Sequence, residues 1–356
     1  MNNRNKLLDY LKCFSIILMI FGHCITNGSG AEFRANSLAQ GNPLYVYIYT
    51  FHMPIFMMVS GYLFGKGIHK KTVVDIVKSR IKTVLIPIIV WQILYTTSNI
   101  ITAIINGANM GIASIAKNYV KGIVFSYRNM WFLWAILGCT VLVSLIHFIF
   151  KDNILVSVLS VVLTWLISFK HVQLWLAFYP CFLIAYHFAL NEEKFKSLVK
   201  LKDKWYVVCV LFTMQIFLLL LLWNPKYYPY VDGDNCLNII YLFADGKYIH
   251  NMYVSILRVV IGVVGTLAWA TLFSKILNHI HIKIIDNTVY KISKYSMGFY
   301  ILSVYFLNTI LRGMTDLKPN FLLWILFTIV ISIICYVFFS IVDKNKITRM
   351  LLLGGR

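Results

Sequence analysis

A histidine stands deep inside the first long apolar run of this chain. The run reads Asp9-Tyr10-Leu11-Lys12-Cys13-Phe14-Ser15-Ile16-Ile17-Leu18-Met19-Ile20-Phe21-Gly22-His23 and continues to about residue 26. On an α-helix, Lys12 and His23 lie eleven positions apart, which is about three turns and ~16 Å of rise with a residual rotation of only about 20°. Both project from one face, the lysine near one membrane surface and the imidazole well inside. An ionisable group is costly to keep in hydrocarbon, so it is hydrogen-bonded or used. The segment points to an enzyme or a transporter built in a bilayer.

Composition agrees with a membrane home. Hydrophobic residues make up 60% of the 356 and charged residues 13%, with a mean hydropathy of +0.75. A soluble fold has too little interior to hide that much apolar surface. Runs long enough to cross ~30 Å of hydrocarbon fall at 10–26, 44–64, 83–105, 130–150, 153–169, 172–190, 205–223, 252–274, 296–312 and 320–342. The expectation is an all-α, polytopic integral membrane protein of about ten transmembrane helices, forming a single domain over residues 1–356.

Lys and Arg are retained on the cytoplasmic side of short loops, and this orients the spans. With the N-terminus inside, 23 of the 33 Lys and Arg fall in cytoplasmic segments and nine on the opposite side, leaving Arg258 within the eighth span. Both termini, including the tail 343–356, are expected in the cytoplasm, with the body in the plasma (inner) membrane. The net charge of +20 then has a plain source, since basic loops rest on anionic lipid headgroups. A nucleic-acid role is not indicated, because the basic residues are spread over many loops and form no single patch.

The seven cysteines are odd in number and show no Cys-x-x-Cys spacing, so neither a disulfide framework nor a metal site is expected. The N-terminal segment carries Arg4 and Lys6 before an apolar run, yet no small-residue cleavage site follows; it reads as a retained first span. Two loops have content. Gly65–Lys82 is basic and contains Val73, Val74, Ile76 and Val77, a set suited to an amphipathic helix on the inner surface. The outer loop from Trp223 to His250 carries Asp232, Asp234 and Asp245 and is long enough for a substrate lid.

Four segments are candidates for chemistry, and each admits a plainer reading. His23 has the titration range of a general base; the plainer role is a hydrogen bond to a neighbouring helix. His52 lies in Phe51-His52-Met53-Pro54-Ile55-Phe56, ahead of Ser60-Gly61, where packing accounts for the proline and glycine. Arg80 closes a basic cluster and offers a fork for phosphate oxygens, or serves topology alone. Tyr127-Arg128-Asn129-Met130-Trp131-Phe132-Leu133-Trp134 offers a stacking surface, or an interfacial aromatic belt.

Taken in order, these residues resemble the membrane-bound acyltransferase family 3. The resemblance rests on Asp9-Tyr10-Leu11-Lys12 leading to Gly22-His23, Phe51-His52-Met53-Pro54-Ile55-Phe56 with Ser60-Gly61-Tyr62-Leu63, Arg80 with Pro87, and Trp131-Phe132-Leu133. Further on it includes Tyr179-Pro180-Cys181-Phe182 and Lys294-Tyr295-Ser296-Met297-Gly298-Phe299-Tyr300. It implies O-acylation, usually acetylation, of a hydroxyl on a cell-surface polysaccharide or lipid-linked sugar, with acetyl-CoA or another acyl-CoA as donor and no permanently bound cofactor. In that reading His23 is the essential histidine and Asp9 shares the catalytic assignment. Lys12 and Arg80 hold the donor, and His52, Ser60, Trp131 and Tyr300 hold substrate. Two positions depart from the family pattern: Lys12 stands where arginine is frequent, keeping charge but losing the bidentate fork, and Ser303 stands where a histidine is frequent.

Two other classes compete. A transporter or flippase of lipid-linked saccharide would line a polar path with His23, His52 and Arg258. A non-catalytic sensor or scaffold would use none of them chemically.

Overall fold

The computed structural model describes residues 5–165, 177–195, 204–221, 248–279 and 282–355. Among these, regular structure is entirely helical. The helices are α1 (Lys6–Asn27), α2 (Pro43–Ile68), α3 (Val73–Arg80), α4 (Ile86–Ile105), α5 (Ile112–Val124), α6 (Trp131–Phe150), α7 (Ile154–Trp165), α8 (Tyr179–Leu190), α9 (Trp205–Leu221), α10 (Tyr248–His279), α11 (Lys283–Lys294), α12 (Ser296–Thr309), α13 (Phe321–Val342) and α14 (Lys346–Leu353). Among the described residues six stretches are long and apolar enough to span a bilayer: Lys6–Asn27, Pro43–Ile68, Val73–Ile105, Trp131–Phe150, Tyr253–His279 and Phe321–Val342.

The other four expected runs coincide with shorter helices: α7 and α8 with 12 residues each, α9 with 17 and α12 with 14. At 1.5 Å per residue these extend for roughly 18 to 26 Å, less than the hydrocarbon thickness. Residues 166–176, which would complete the fifth and sixth runs, lie outside the described residues, as do residues 222–247 of the expected outer lid.

Helix α2 is the hub, with α1, α8 and α10 all packed against it. Asn42 accepts from the N–H groups of Leu44 and Tyr45, and Pro43 occupies the first turn, so the helix starts without orphaned donors. Close approach is achieved by glycine. A Cβ on Gly61 would sit 2.1 Å from the Phe182 carbonyl oxygen of α8, and one on Gly65 would sit 2.8 Å from that of Tyr186. On the α10 side, Gly262 fits over the Pro54 ring. By contrast α13 leaves Leu322, Leu326, Ile329, Ile333, Val337 and Ile341 exposed along one stripe, a face suited to lipid and not to water.

Segments assigned by charge to the same side meet at the same end of the bundle. Lys6 pairs with Asp286 at 2.8 Å, and Lys294 and Arg349 both pair with Asp343. At the far end of α1, Arg34 donates to the carbonyls of Asn27 and Arg312.

The basic segment after α2 forms α3, started by a reciprocal capping box between Thr72 and Asp75. Its apolar set divides: Ile76 is buried, while Val73, Val74 and Val77 are each more than half exposed. A π-turn at Ile81–Leu85 joins α3 to α4. Pro87 explains it, since proline lacks the N–H that an α-helix would give to Thr83. The C-terminal helix closes over this joint, Trp91 Nε1 donating to the Leu352 carbonyl at 3.0 Å.

Gly61→Ala is expected to destabilise the protein by roughly 1–3 kcal/mol through overpacking against Phe182. Gly138→Ala, where an added Cβ meets nothing within 4 Å, is expected to be neutral. Thermal unfolding of the two variants in detergent checks the difference.

Candidate functional site

Helices α1 and α2 run antiparallel, and their register is fixed where Gly22 lies under the Tyr49 ring. A Cβ at position 22 would stand 2.8 Å from Tyr49 Cε2, so any side chain there would push the helices apart. From this contact the facing residues step toward the inner-assigned end as Met19 with Met53, Ile16 with Phe56, and Lys12 with Ser60.

Those six residues form two walls of a cavity of about 50 Å³ that is partly open to the outside. Phe132, Leu133 and Ile136 of α6, Ser296, Met297 and Tyr300 of α12, and Val84 from the π-turn complete it. The lining is mostly apolar. Its polar side chains are Lys12, Ser60, Ser296 and Tyr300, so the structure brings Lys12, expected at the donor, beside Ser60 and Tyr300, expected at the substrate. An apolar lining with a few convergent polar groups is the usual form of a small-molecule site.

His23 stands one turn beyond Met19 on the Lys12 face of α1. The residue as a whole is partly exposed, and among the described residues no group hydrogen-bonds to its ring. His52 precedes Met53 and is 2% exposed. Its Nδ1 is 2.8 Å from the Ile48 carbonyl oxygen, so Nδ1 carries the proton and Nε2 is left as an acceptor. The Tyr49 ring meets His52 edge-on, with centroids 4.7 Å apart.

Arg80 is half-buried, with its guanidinium 5.4 Å over the Phe64 ring. It precedes Val84 by four residues and Phe64 follows Ser60 by four, which puts this contact one turn below the cavity on both walls. Trp131 stacks on Phe178 at 5.9 Å and is absent from the lining; its neighbours Phe132 and Leu133 face the cavity instead. The sequence reading picked the wider segment without resolving which side chains turn inward. It missed Met19, Met53, Ser296 and Phe132, although Ile16 and Met19 continue the Lys12 face at helical spacing.

Asp9 is not brought to His23. The two are fourteen residues apart on one unbroken helix, about 21 Å along the axis. The Asp9 carboxylate is buried and accepts from Ser293 Oγ at 2.7 Å. It belongs to a polar belt around the inner-assigned end, which also includes Tyr10 donating to Asp286 at 2.7 Å. Asp343 is the belt's most connected member. It accepts from Lys294 at 2.6 and 2.9 Å and from the Tyr295 hydroxyl at 2.9 Å. Partial burial opposes its ionisation, but these donors outweigh burial and hold the carboxyl below the usual aspartate range. Burial, and then the Asp343 carboxylate, push the Tyr295 phenol up to about 12.

Two further polar features lie elsewhere. Asp152 joins His147 at 2.8 Å and Tyr186 at 2.6 Å, tying the turn after α6 to α8. Arg258 is buried on the stripe of α10 that carries Val254 and Ile261 and packs on Val46 and Leu219; it does not line the cavity. Among the described residues no three His, Cys, Asp or Glu are placed to hold a metal ion.

Comparison with known proteins adds a family. A family model described as an acyltransferase domain matches residues 5–340. Two curated relatives are both named nodulation protein NolL. The one from Sinorhizobium fredii (strain NBRC 101917 / NGR234) is 28% identical over 220 residues, covering 59% of this chain and 57% of its own. The one from Mesorhizobium japonicum (strain LMG 29417 / CECT 9101 / MAFF 303099) is 24% identical over 232 residues, covering 64% and 59%. The chain thus spans under three fifths of the length of each. No solved structure matches.

The Asp343 cluster carries a pH expectation. A carboxyl whose folded pKa is depressed contributes stability above its unfolded pKa and loses it as pH falls through the folded value. The wild type is therefore expected to lose thermal stability on acidification below about pH 4. Asp343→Asn should be less stable at pH 7 and show a flatter acid limb, read by unfolding at several pH values.

Proposed function

The chain belongs to the membrane-bound acyltransferase family 3, and from that membership we propose that it moves an acyl group, acetyl in the first instance, from acyl-CoA to a hydroxyl of a cell-surface polysaccharide or lipid-linked sugar. In this reading it works as one domain of about ten transmembrane helices in the inner membrane, with both termini cytoplasmic. The meeting of the basic segments at one end of the bundle supports that orientation.

The observation that carries the proposal is the single face of α1. It runs from Lys12 through Ile16 and Met19, all three in the cavity wall, to His23 one turn further on. Acyl-CoA enters from the basic end, its phosphates held by Lys12 and Arg80. These are charge-assisted contacts that strengthen in a poorly solvated mouth. Its pantetheine arm and thioester lie in the apolar cavity, pointing along α1. Ser60 and Tyr300 orient the arm, and Trp131, outside the lining, offers its indole to the acceptor.

His23 then acts as general base. It takes the proton from the acceptor hydroxyl as the oxygen attacks the thioester carbonyl. The C–S bond breaks as the C–O bond forms, and the imidazolium returns the proton to the departing thiolate, giving coenzyme A as the free thiol. His52, neutral with Nε2 as an acceptor, orients the acceptor hydroxyl beside His23. In this reading Asp9 contributes at the donor end, where its bond from Ser293 supports the inner turn of α1 that carries Lys12.

His23→Ala is expected to lower acyl transfer by at least about 10²-fold, the usual worth of a positioned general base, while leaving insertion and thermal stability intact. Lys12→Arg is expected to retain activity because charge and reach are kept. Both are read by transfer of label from acetyl-CoA to the glycan fraction of membrane vesicles. Normal transfer by His23→Ala would overturn the assignment.

A further inference from the structure

Along α1 and α2, the cavity-lining residues nearest the two histidines are methionines. Met19 and Met53 face each other across the α1–α2 crossing, 2% and 4% exposed, and both belong to the cavity wall. Neither histidine does. His23 begins one turn beyond Met19, and His52 is the residue before Met53. A pair of thioether side chains therefore stands between the space on the Lys12 side and the imidazole.

We propose that Met19 and Met53 form a movable partition between the donor cavity and the histidine pair, and that this partition sets the size of the acyl group that is transferred. The inference rests on the acyl-transfer reading and deepens it by assigning donor specificity to two residues. Methionine suits the task. It is unbranched, has three rotatable bonds and adapts to irregular space, so it swings aside at small cost, where a branched or aromatic residue in a packed core is held in one rotamer. A two-carbon acyl group passes between the displaced thioethers and presents its carbonyl to the hydroxyl held at His23. A longer chain has its tail packed among Phe56, Ile136 and Met297, and its carbonyl stays on the Lys12 side. The same closure keeps water on the His23 side from the waiting thioester.

Size discrimination by an apolar pocket amounts to about tenfold or more per methylene-sized step. Wild-type membrane vesicles supplied with labelled acetyl-, butyryl- and octanoyl-CoA are expected to transfer acetyl at least about tenfold faster than octanoyl. Met53→Ala and Met19→Ala should each raise the octanoyl-to-acetyl ratio about tenfold. Because each variant is scored against its own acetyl rate, a fall in folded protein does not imitate the result. Met53→Phe should act in the other direction, lowering kcat for acetyl-CoA while KM stays within about twofold, since the donor's charged contacts lie at Lys12 and Arg80. Transfer with an unchanged chain-length ratio in both alanine variants would overturn the partition and leave the acyltransferase reading standing. No transfer from any of the three donors by the wild type would overturn both.

Discussion

The crossing of α1 and α2 at Gly22 and Tyr49 is the contact on which the rest of the site depends. Because position 22 has no side chain, an aromatic ring lies directly on the α1 backbone, and the two helices stay in register for the next three turns. That register turns Lys12, Ile16 and Met19 toward the cavity that Ser60, Phe56 and Met53 also line. A bulkier residue at 22 would widen the crossing and open the closed end of the cavity. The glycine contacts of α2 with α8 and α10 hold the hub helix from its other faces, so the register of one pair is fixed by packing all round.

The second constraint is electrostatic. A bilayer offers no water to a stray charge, and the described acidic groups near the inner-assigned end are paired. Asp9 is held by Ser293, Asp286 by Lys6 and Tyr10, and Asp343 by Lys294 and Tyr295. The bonds of Asp9 and Asp286 join residues 276 to 284 positions apart to the first turns of α1, at the mouth through which a phosphate-bearing donor would pass. Lys12 and Arg80 bring positive charge to that mouth. The histidines lie beyond it, outside the cavity lining.

Much of this was legible in the sequence for identifiable reasons. The six long spans follow from apolar length, which the bilayer makes a sharp criterion. The shared face of Lys12 and His23 follows from helical periodicity alone, and the family resemblance survived comparison over residues 5–340. What the sequence did not disclose is tertiary. Nothing local says that Phe132 and Leu133, and not Trp131, turn into the cavity. Nothing marks Met19 and Met53 among twelve methionines. The grouping of Asp9 with His23 took residues sharing a helix as residues sharing a site, and about 21 Å of helical rise separates the two.

The central claim is that the donor reaches the α1 face from the basic end of the bundle. It is tested most directly by placing a cysteine in the cavity, Ser60→Cys, in a background with the natural cysteines replaced, and exposing sealed vesicles to coenzyme A disulfide from one side at a time. The account predicts a mixed disulfide between coenzyme A and position 60 when the cytoplasmic side is exposed, suppressed by excess acetyl-CoA, and none from the opposite side. Equal reaction from both sides, or reaction indifferent to acetyl-CoA, would contradict it.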